Sequence, residues 1–220
     1  MAQIKYFFSP EDLNKIEEAV KSAENEISGE IVPVFVTESD SYPEAVLRAG
    51  LTAIIFFSVV ILLIDQRMGW QQFVLLRNEW IFTGSILLGG VIGAFLSLRI
   101  PSIKRLMIGS HQTNLRVEAM AKQQFLAHEL YKTQARTGIL IMLSLFERQV
   151  IILGDKGINE KIQPEQWHTI VKEIISLLSK KRNTEAIILG INRCKDLLIA
   201  NGFKAENENL NELPNNLRSF

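Results

Sequence analysis

A few residues of this 220-residue chain could do chemistry, and several of them lie in or near one turn. The turn Gly154-Asp155-Lys156-Gly157 could present backbone N–H groups to an anion, and its Asp155 could contact a metal ion. Asp155, Gly157 and the nearby Arg148 are therefore the candidate polar site. The same sequence is also typical of an ordinary turn, and we expect Glu147 and Arg148 to form the solvated tip of a hairpin.

The histidines and the cysteine do not form a recognisable site in the sequence. His111, His128 and His168 are far apart along the chain, without an HExxH pair, and a zinc site needs three or four ligands that converge. We expect His168 to be solvated or to cap a helix. Cys194 lies on an apolar helical face, which favours a core position over a nucleophile. No catalytic residue, cofactor or metal site is assigned from the sequence.

Composition and missing motifs narrow the function further. The sequence contains no GxxxxGK[ST], GxGxxG or GxSxG motif. It has 24 basic and 24 acidic residues, and a zero net charge argues against a nucleic-acid partner. With 47% hydrophobic residues the chain is not disordered. Its mean hydropathy is positive despite 22% charged residues, so the apolar residues must be concentrated in one region.

Two uncharged runs supply that concentration and predict a transmembrane helical hairpin. They span about residues 45–64, with only Arg48 near the start, and residues 80–98. Twenty helical residues cover about 30 Å, the thickness of a hydrocarbon core. A hairpin buried in a soluble protein is the alternative, but the rest of the chain is too small to wrap two such helices. The spacing of Gly89 and Gly93 permits close helix packing, although glycine is also common in membrane helices.

The basic residues near the two runs predict the orientation of the hairpin. The connecting loop contains Arg67 and Arg77, whereas the outer flanks carry five basic residues: Arg48, Arg99, Lys104, Arg105 and Arg116. The positive-inside rule then places both termini in the cytoplasm. The first twelve residues lack the apolar segment of a secretory signal, which agrees with a cytoplasmic N-terminus.

Outside these runs, helix and strand patterns alternate and predict an α/β domain. A helix begins after the N-cap Ser9, and a strand at 31–37 contains Pro33, which argues for an edge or bulged strand. The later predicted elements are a helix at 115–131, strands at 139–145 and 150–153, a helix at 164–179, and a helix capped by Thr184 that ends near Gly202.

This order predicts a three-layer α/β/α sandwich interrupted by the transmembrane hairpin. Residues 1–44 and 102–220 would form the split α/β domain, and residues 45–101 the insertion. The segment from Lys204 onward is rich in Asn and Glu, and residues 210–220 are expected to be irregular.

Three stretches carry a resemblance to a known family: SPEDLNKIEEAVKSAENEISGEIVPVFV, RTGILIMLSLFERQVIILGDKGINEKI, and the helix pair that begins near Trp167. With them the chain resembles the TPM-domain family, and most closely its bacterial subgroup with two inserted transmembrane segments. The resemblance implies an α/β/α sandwich. It also implies calcium binding or acid phosphatase activity in some members and maintenance of membrane complexes in others.

One departure from the family pattern bears on these activities. Many exported members have Asp-Asn-Gly just before the strand at 139–145, where this chain has Arg136-Thr137-Gly138. Arg136 replaces a potential oxygen ligand by a positive charge, which is unfavourable for a calcium ion.

The sequence therefore favours a non-enzymatic, membrane-anchored interaction or maintenance module in a bacterial inner membrane, with the lipid bilayer and a membrane protein as its partners. The alternative is a phosphatase-like hydrolase of phosphomonoesters that binds calcium. Transport through the hairpin is disfavoured because neither span has an ionisable residue in its interior. The oligomeric state stays open.

Overall fold

The computed structural model describes residues 7–68, 78–133, 135–205 and 214–219. The chain forms two compact units. The first, here called the α/β unit, comprises Met1–Ser39 and Asn114–Phe220. The second, here called the hairpin unit, comprises Asp40–Thr113. In chain order the elements are α1 (Pro10–Glu24), β1 (Glu30–Val36), α2 (Pro43–Met68), α3 (Glu79–Arg99), α4 (Pro101–Met107), α5 (Ser110–Ala127), a 3₁₀ turn (Leu130–Lys132), β2 (Gly138–Ser144), β3 (Gln149–Gly154), α6 (Lys156–Asn159), α7 (Pro164–Ser179), α8 (Asn183–Ala200) and β4 (Arg218–Ser219).

Local signals at the helix ends explain where the helices begin and stop. Ser9 caps α1 as predicted: its hydroxyl accepts the Asp12 N–H at 3.1 Å, and the Asp12 carboxylate accepts the Ser9 N–H at 3.0 Å. The helix α5 is shifted from its predicted range of 115–131, because Glu129 adopts a left-handed φ of 57° that ends it. The prediction that Thr184 caps α8 was wrong, since the N-cap is Arg182.

The α/β unit is built around a four-stranded sheet with the strand order β3-β2-β1-β4. β1 pairs in parallel with β2 along all seven residues and with β4 over two residues. β3 follows β2 through a short turn and pairs antiparallel to it. A parallel pair needs a crossover connection, which here contains the whole hairpin unit.

Pro33 lies in an inner strand, so the expectation that its strand is an edge strand needs correction. The N–H of Glu30 points toward β2, donating to the Thr137 carbonyl at 3.3 Å, and the next N–H, of Ile31, points the other way, to Glu24 at 2.9 Å. By this alternation the missing N–H of Pro33 faces away from β2. On that side pairing with β4 begins only at Val34, so no ladder hydrogen bond is lost.

The predicted three-layer sandwich is confirmed by two apolar clusters, one on each face of the sheet. Odd-numbered residues of β1 and β2, such as Ile31 and Ile139, pack against α1, α7 and α8. Even-numbered residues, such as Val32 and Leu140, pack against α5 and the 3₁₀ turn. All residues of β1 and β2 are buried, as a strand covered on both faces requires.

The C-terminal segment is not irregular throughout, as residues 210–220 were expected to be. Arg218 and Ser219 form β4, and the side chain of Leu217 is buried in the core of the α/β unit. The Arg218 guanidinium adds hydrogen bonds to the His128 ring and, at 3.1 Å, to the Pro214 carbonyl. Residues 206–213 lie outside the described residues.

In the hairpin unit α2 packs against α3 along a seam that is lined by glycines on the α3 side. A Cβ added at Gly93 would clash with the Cβ of Ala53, and one added at Gly90 would lie 2.6 Å from Cγ1 of Ile54. Gly89 likewise lies directly against the ring of Phe57. The spacing of Gly89 and Gly93 therefore does permit a close helix approach, and the helix that approaches is α2 of the same hairpin. By contrast, nothing lies within 4 Å of a Cβ at Gly84.

Candidate functional site

Asp155 stands at the end of β3 and begins a helix, so its segment is more than a turn that ends a strand. Its Oδ1 accepts the Lys156 N–H at 2.7 Å, which caps the short helix α6. Its own N–H donates to the Gly138 carbonyl at 2.9 Å, next to the last pair of the β2–β3 ladder. Asp155 is therefore held from both the sheet and the helix, with 5% of the residue exposed.

The partner of Asp155 is Arg136, which precedes β2. Arg136 Nε lies 2.6 Å from Asp155 Oδ2, and Nη2 lies 2.8 Å from Oδ1. This is the two-pronged geometry that makes guanidinium–carboxylate pairs strong. Burial raises the pKa of Asp155, but the hydrogen bonds from Arg136 and from the Lys156 N–H, with the Arg136 charge, outweigh burial and lower it below its usual value.

This ion pair decides what the Asp155 carboxylate can do chemically. Both oxygens accept hydrogen bonds from Arg136, and a positive charge stands where a metal ion would have to bind. A calcium ion needs six to eight oxygen ligands at about 2.3–2.6 Å. Within the described residues, no group of three or more His, Cys, Asp or Glu side chains is placed to hold a metal ion.

Position 157, close to Asp155, is occupied by a glycine because a side chain there would clash with the loop that precedes β2. A Cβ at this position would lie 2.6 Å from the Ala135 carbonyl oxygen and 2.9 Å from that of Arg136. The Gly157 N–H donates to the Arg136 carbonyl at 3.1 Å. The N–H group that an anion would need is therefore already bonded to the protein, and the glycine serves the close approach of the loop.

Arg148 belongs to the opposite end of the β2–β3 hairpin, so the structure does not bring the three candidate residues together. It lies in the turn after Leu145, with a left-handed φ of 55°, and its N–H donates to the Leu145 carbonyl at 3.2 Å. The ladder from Ser144 to Ile139 separates it from Asp155. At about 3.4 Å per residue, this ladder is roughly 17 Å long.

Glu147, expected at a solvated hairpin tip, is instead buried and forms a polar cluster with Ser39 and Ser144. Its Oε1 accepts the Ser39 N–H at 2.8 Å, and its Oε2 accepts the Ser144 hydroxyl. The two serine hydroxyls are 3.0 Å apart. A serine that donates to a carboxylate is one arrangement for activating a nucleophile, but Ser144 is 3% exposed and closed to a substrate. The cluster instead holds the chain where it leaves β1.

Sequence reasoning missed a second buried acidic group, the pair Glu24 and Glu30. Glu24 Oε1 accepts the Ile31 N–H at 2.9 Å, its Oε2 accepts the Asn215 amide, and its side chain is hydrogen-bonded to Glu30. Burial, followed by the negative charge of Glu30, raises the pKa of Glu24 to about 8. The pair therefore retains a proton at neutral pH. Only the turn from α1 into β1 brings these two residues together, so no spacing rule reveals them.

The histidines and Cys194 do not converge on a site. His111 and His168 are exposed, as expected for His168. His128 is hydrogen-bonded to Arg218, and burial together with the Arg218 charge lowers its pKa to about 4. Cys194 is fully buried in the core as predicted, and burial raises the pKa of its thiol, which makes it a poor nucleophile.

Comparison with known proteins agrees with this architecture. Residues 99–197 match the sequence profile described as the TPM domain. The structure is similar to that of the BA42 protein from the psychrophilic bacterium Bizionia argentinensis, solved by NMR, with a TM-score of 0.60 and 18% sequence identity over 100% of both chains. No curated protein matches the chain. Residues 99–197 are therefore similar to the TPM domain, and the likeness to BA42 shows that the two chains share a fold.

Proposed function

We propose that this chain is an integral membrane protein whose hairpin unit anchors a non-enzymatic TPM domain for interaction with a membrane protein. The observation that carries the proposal is the outer surface of the hairpin. Two helical segments, Pro43–Ile64 and Trp80–Arg99, are long and apolar enough to cross a membrane. In the most apolar stretch of each helix, only 6% and 17% of the residues are buried. A core helix of a soluble protein would be mostly buried.

The side chains on that outer surface support a lipid environment. Large apolar residues are more than half exposed along both helices, including Ile55, Phe56, Leu88 and Val91. Such a continuous apolar surface on a soluble protein would promote aggregation, whereas in a bilayer it faces acyl chains. On α3 the seam is lined by the glycines Gly89, Gly90 and Gly93, and close packing at small residues stabilises helix pairs in membranes.

Three polar side chains within the spans also suit a membrane. The hydroxyls of Thr52, Ser58 and Ser85 each donate to a carbonyl three or four residues earlier, at 2.7, 2.8 and 2.7 Å. These bonds satisfy the hydroxyls inside their own helices, without water. We further propose that both termini are cytoplasmic, because the basic residues concentrate at the end where α2 begins and α3 ends.

A non-enzymatic role is supported by the surroundings of three groups in the α/β unit that could otherwise react. Asp155 is neutralised by Arg136, Cys194 is buried, and the Ser144 hydroxyl is enclosed with Glu147. The hydrolase alternative would require a metal or a nucleophile in the α/β unit. The hydrolase alternative predicts that the chain hydrolyses a generic phosphomonoester in the presence of divalent cations, and that Asp155→Ala abolishes this activity. We expect the wild-type chain to show no such activity.

Membrane insertion and orientation can be tested on the full chain with an epitope after Phe220. We expect the protein to stay in the membrane fraction on alkaline carbonate extraction. Protease should remove the epitope in inverted vesicles and leave it intact in spheroplasts. Release by carbonate would refute the anchor, and cleavage in spheroplasts would refute the orientation.

The interaction role has its own test. Purification in a mild detergent after crosslinking in cells should recover a membrane protein together with the wild-type chain. If the chain is always recovered alone, or only with soluble proteins, the interaction role is wrong even where the anchor holds.

A further inference from the structure

We propose that one end of the hairpin unit binds the headgroups of anionic phospholipids through a basic collar, defined as Arg48, Arg99, Lys104 and Arg105. The inference rests on the proposed membrane insertion and adds a specific lipid class as a partner. It is carried by the way three separate segments, α2, α3 and α4, bring these residues to the same end of the unit.

The packing of α2 against α3 places Arg48 and Arg99 at the same end of the hairpin. A Cβ at Gly93 would lie 3.0 Å from the Ala49 carbonyl oxygen, and one at Gly50 would lie 3.3 Å from that of Gly90. The start of α2 is therefore beside the end of α3. Arg48 precedes this contact by one residue in α2, and Arg99 is the last residue of α3. Both side chains are exposed.

Arg48 is oriented by the end of α4 and keeps donors for a ligand. Its Nη1 donates to the Met107 carbonyl, at 3.1 Å, at the last residue of α4. A guanidinium has five N–H donors in a planar fork, and this bond uses one of them. The fork matches the oxygens of a phosphate group, which makes arginine suited to phosphodiester headgroups.

Arg99 lies where the apolar surface of the hairpin ends. Its guanidinium carbon is 5.2 Å from the ring centroid of Phe95, one helical turn earlier, and Phe95 is 53% exposed. A charged side chain beside an exposed aromatic ring is typical of the membrane interface, where the ring meets the acyl chains and the charge reaches the headgroups.

The short helix α4 adds an interfacial surface to the collar. Leu106 is 78% exposed, while its neighbours Lys104 and Arg105 are half-buried. The Lys104 ammonium lies 5.7 Å from the ring centroid of the buried Tyr42. The same short helix therefore carries two basic side chains and one exposed leucine side chain. Basic residues beside an exposed leucine are the pattern of segments that lie in the interface of anionic membranes.

The charge balance distinguishes this end of the hairpin from the other. The four collar cations face two acidic residues at the same end, Asp40 and Glu44. In the sequence, the segment that joins the two helices has two basic and two acidic residues, Arg67, Arg77, Asp65 and Glu79. The excess of basic residues favours an anionic headgroup at the collar, and the exposed Trp80 supplies an uncharged aromatic anchor at the start of α3.

The test uses the full chain in mild detergent, with thermal unfolding and native mass spectrometry as readouts and phosphatidylglycerol or phosphatidylcholine as probes. We expect phosphatidylglycerol to be retained and to raise the unfolding temperature, with phosphatidylcholine much less effective. Arg48→Gln with Arg99→Gln should weaken phosphatidylglycerol binding by about tenfold or more, since each interfacial cation contributes a sizeable attraction. Arg48→Lys with Arg99→Lys should restore most of it.

The control removes the same charge elsewhere: Arg67→Gln with Arg193→Gln should bind phosphatidylglycerol as the wild type does. Equal binding of the two lipids, or an equal loss in both double glutamine variants, would overturn the collar. Equal stabilisation by inorganic phosphate at the same concentration would show a free-phosphate site and overturn the lipid assignment. Carbonate extraction of the same variants is a separate measurement, and release there would refute membrane insertion itself.

Discussion

The ion pair between Arg136 and Asp155 makes a prediction that can be worked out from the structure. The perturbation is a double-mutant cycle: Arg136→Ala, Asp155→Ala and both together. Asp155 accepts two charge-assisted hydrogen bonds from Arg136 and caps α6 through the Lys156 N–H. Each single change removes the ion pair, but only Asp155→Ala also removes the cap.

The magnitudes follow from the exposure of the two side chains, which is 51% for Arg136 and 5% for Asp155. Hydrogen bonds to charged groups contribute about 1.5–3 kcal/mol when shielded, and exposed ion pairs about 0.2–1 kcal/mol. With one partner in solvent, we expect Arg136→Ala to cost about 1–2 kcal/mol. Asp155→Ala adds a lost N-cap of about 1 kcal/mol, for a total of roughly 2–3 kcal/mol. The coupling energy should be about 1–2 kcal/mol.

The assay is urea unfolding in mild detergent, followed by the fluorescence of Trp167, which is buried in the α/β unit. Trp70 and Trp80 are replaced by Phe so that the signal comes from this unit alone. Because the pKa of Asp155 is lowered in the folded protein, its contribution is present above its usual pKa of 3.8 and is lost as pH falls through the folded value. The cost of Arg136→Ala should therefore shrink in acid.

A coupling energy near zero at neutral pH would refute this reasoning, because the two residues would then not be energetically paired. So would a cost of Arg136→Ala that does not change in acid. A calcium-dependent increase in the stability of the wild-type α/β unit would contradict the conclusion that Arg136 occupies the position of a cation.

Three further predictions concern buried polar groups and the hairpin seam. Burial raises the pKa of Glu24 to about 8 in the folded state, so the stability that its protonated form contributes is complete below its usual pKa of 4.5 and is lost as pH rises through about 8. Glu24→Gln should therefore flatten the decline in the free energy of unfolding that equilibrium unfolding shows between about pH 4.5 and pH 8. Glu147→Ala leaves the buried Ser39 N–H and the buried Ser144 hydroxyl without their acceptor, so it should lower the free energy of unfolding in the urea assay by about 2–3 kcal/mol. The control Glu160→Asn, at an exposed position, should lower it by less than about 0.5 kcal/mol. Disulfide crosslinking between two cysteines placed across the seam, one on α2 and one on α3, can be measured in a Cys194→Ser background. Gly93→Leu should separate the two helices and abolish this crosslinking. Gly84→Leu, where the Cβ has open space, should crosslink as well as the chain without the leucine substitution.

The fold was largely predictable because its signals are local. The Ser9 capping box, the continuous apolar run of β2 and the apolar face of α7 each depend on residues a few positions apart. The boundaries of α5 and α8 were not predictable to the residue, since Glu129 and Lys181 adopt left-handed conformations that their sequences do not require. The strand at Arg218–Ser219 was missed because two residues carry no periodicity, and it is held by pairing with β1.

The candidate site was less predictable, because its contacts join distant parts of the chain. Asp155 was identified from its turn, but its pairing with Arg136 depends on the loop before β2 lying beside the end of β3. Glu147 was assigned to a solvated tip because it stands in a polar turn, and only the approach of Ser39 explains its burial.

What the sequence determined by itself is what short-range chemistry dictates: an α/β pattern interrupted by two membrane-length apolar runs. The length and composition of those runs and the alternation of apolar residues need no distant partner to be recognised. The tertiary structure alone decided which charges are neutralised, which carboxyls are buried, and which helix fills the glycine seam. These properties depend on distances and dielectric surroundings that arise only when segments far apart in the chain are packed together.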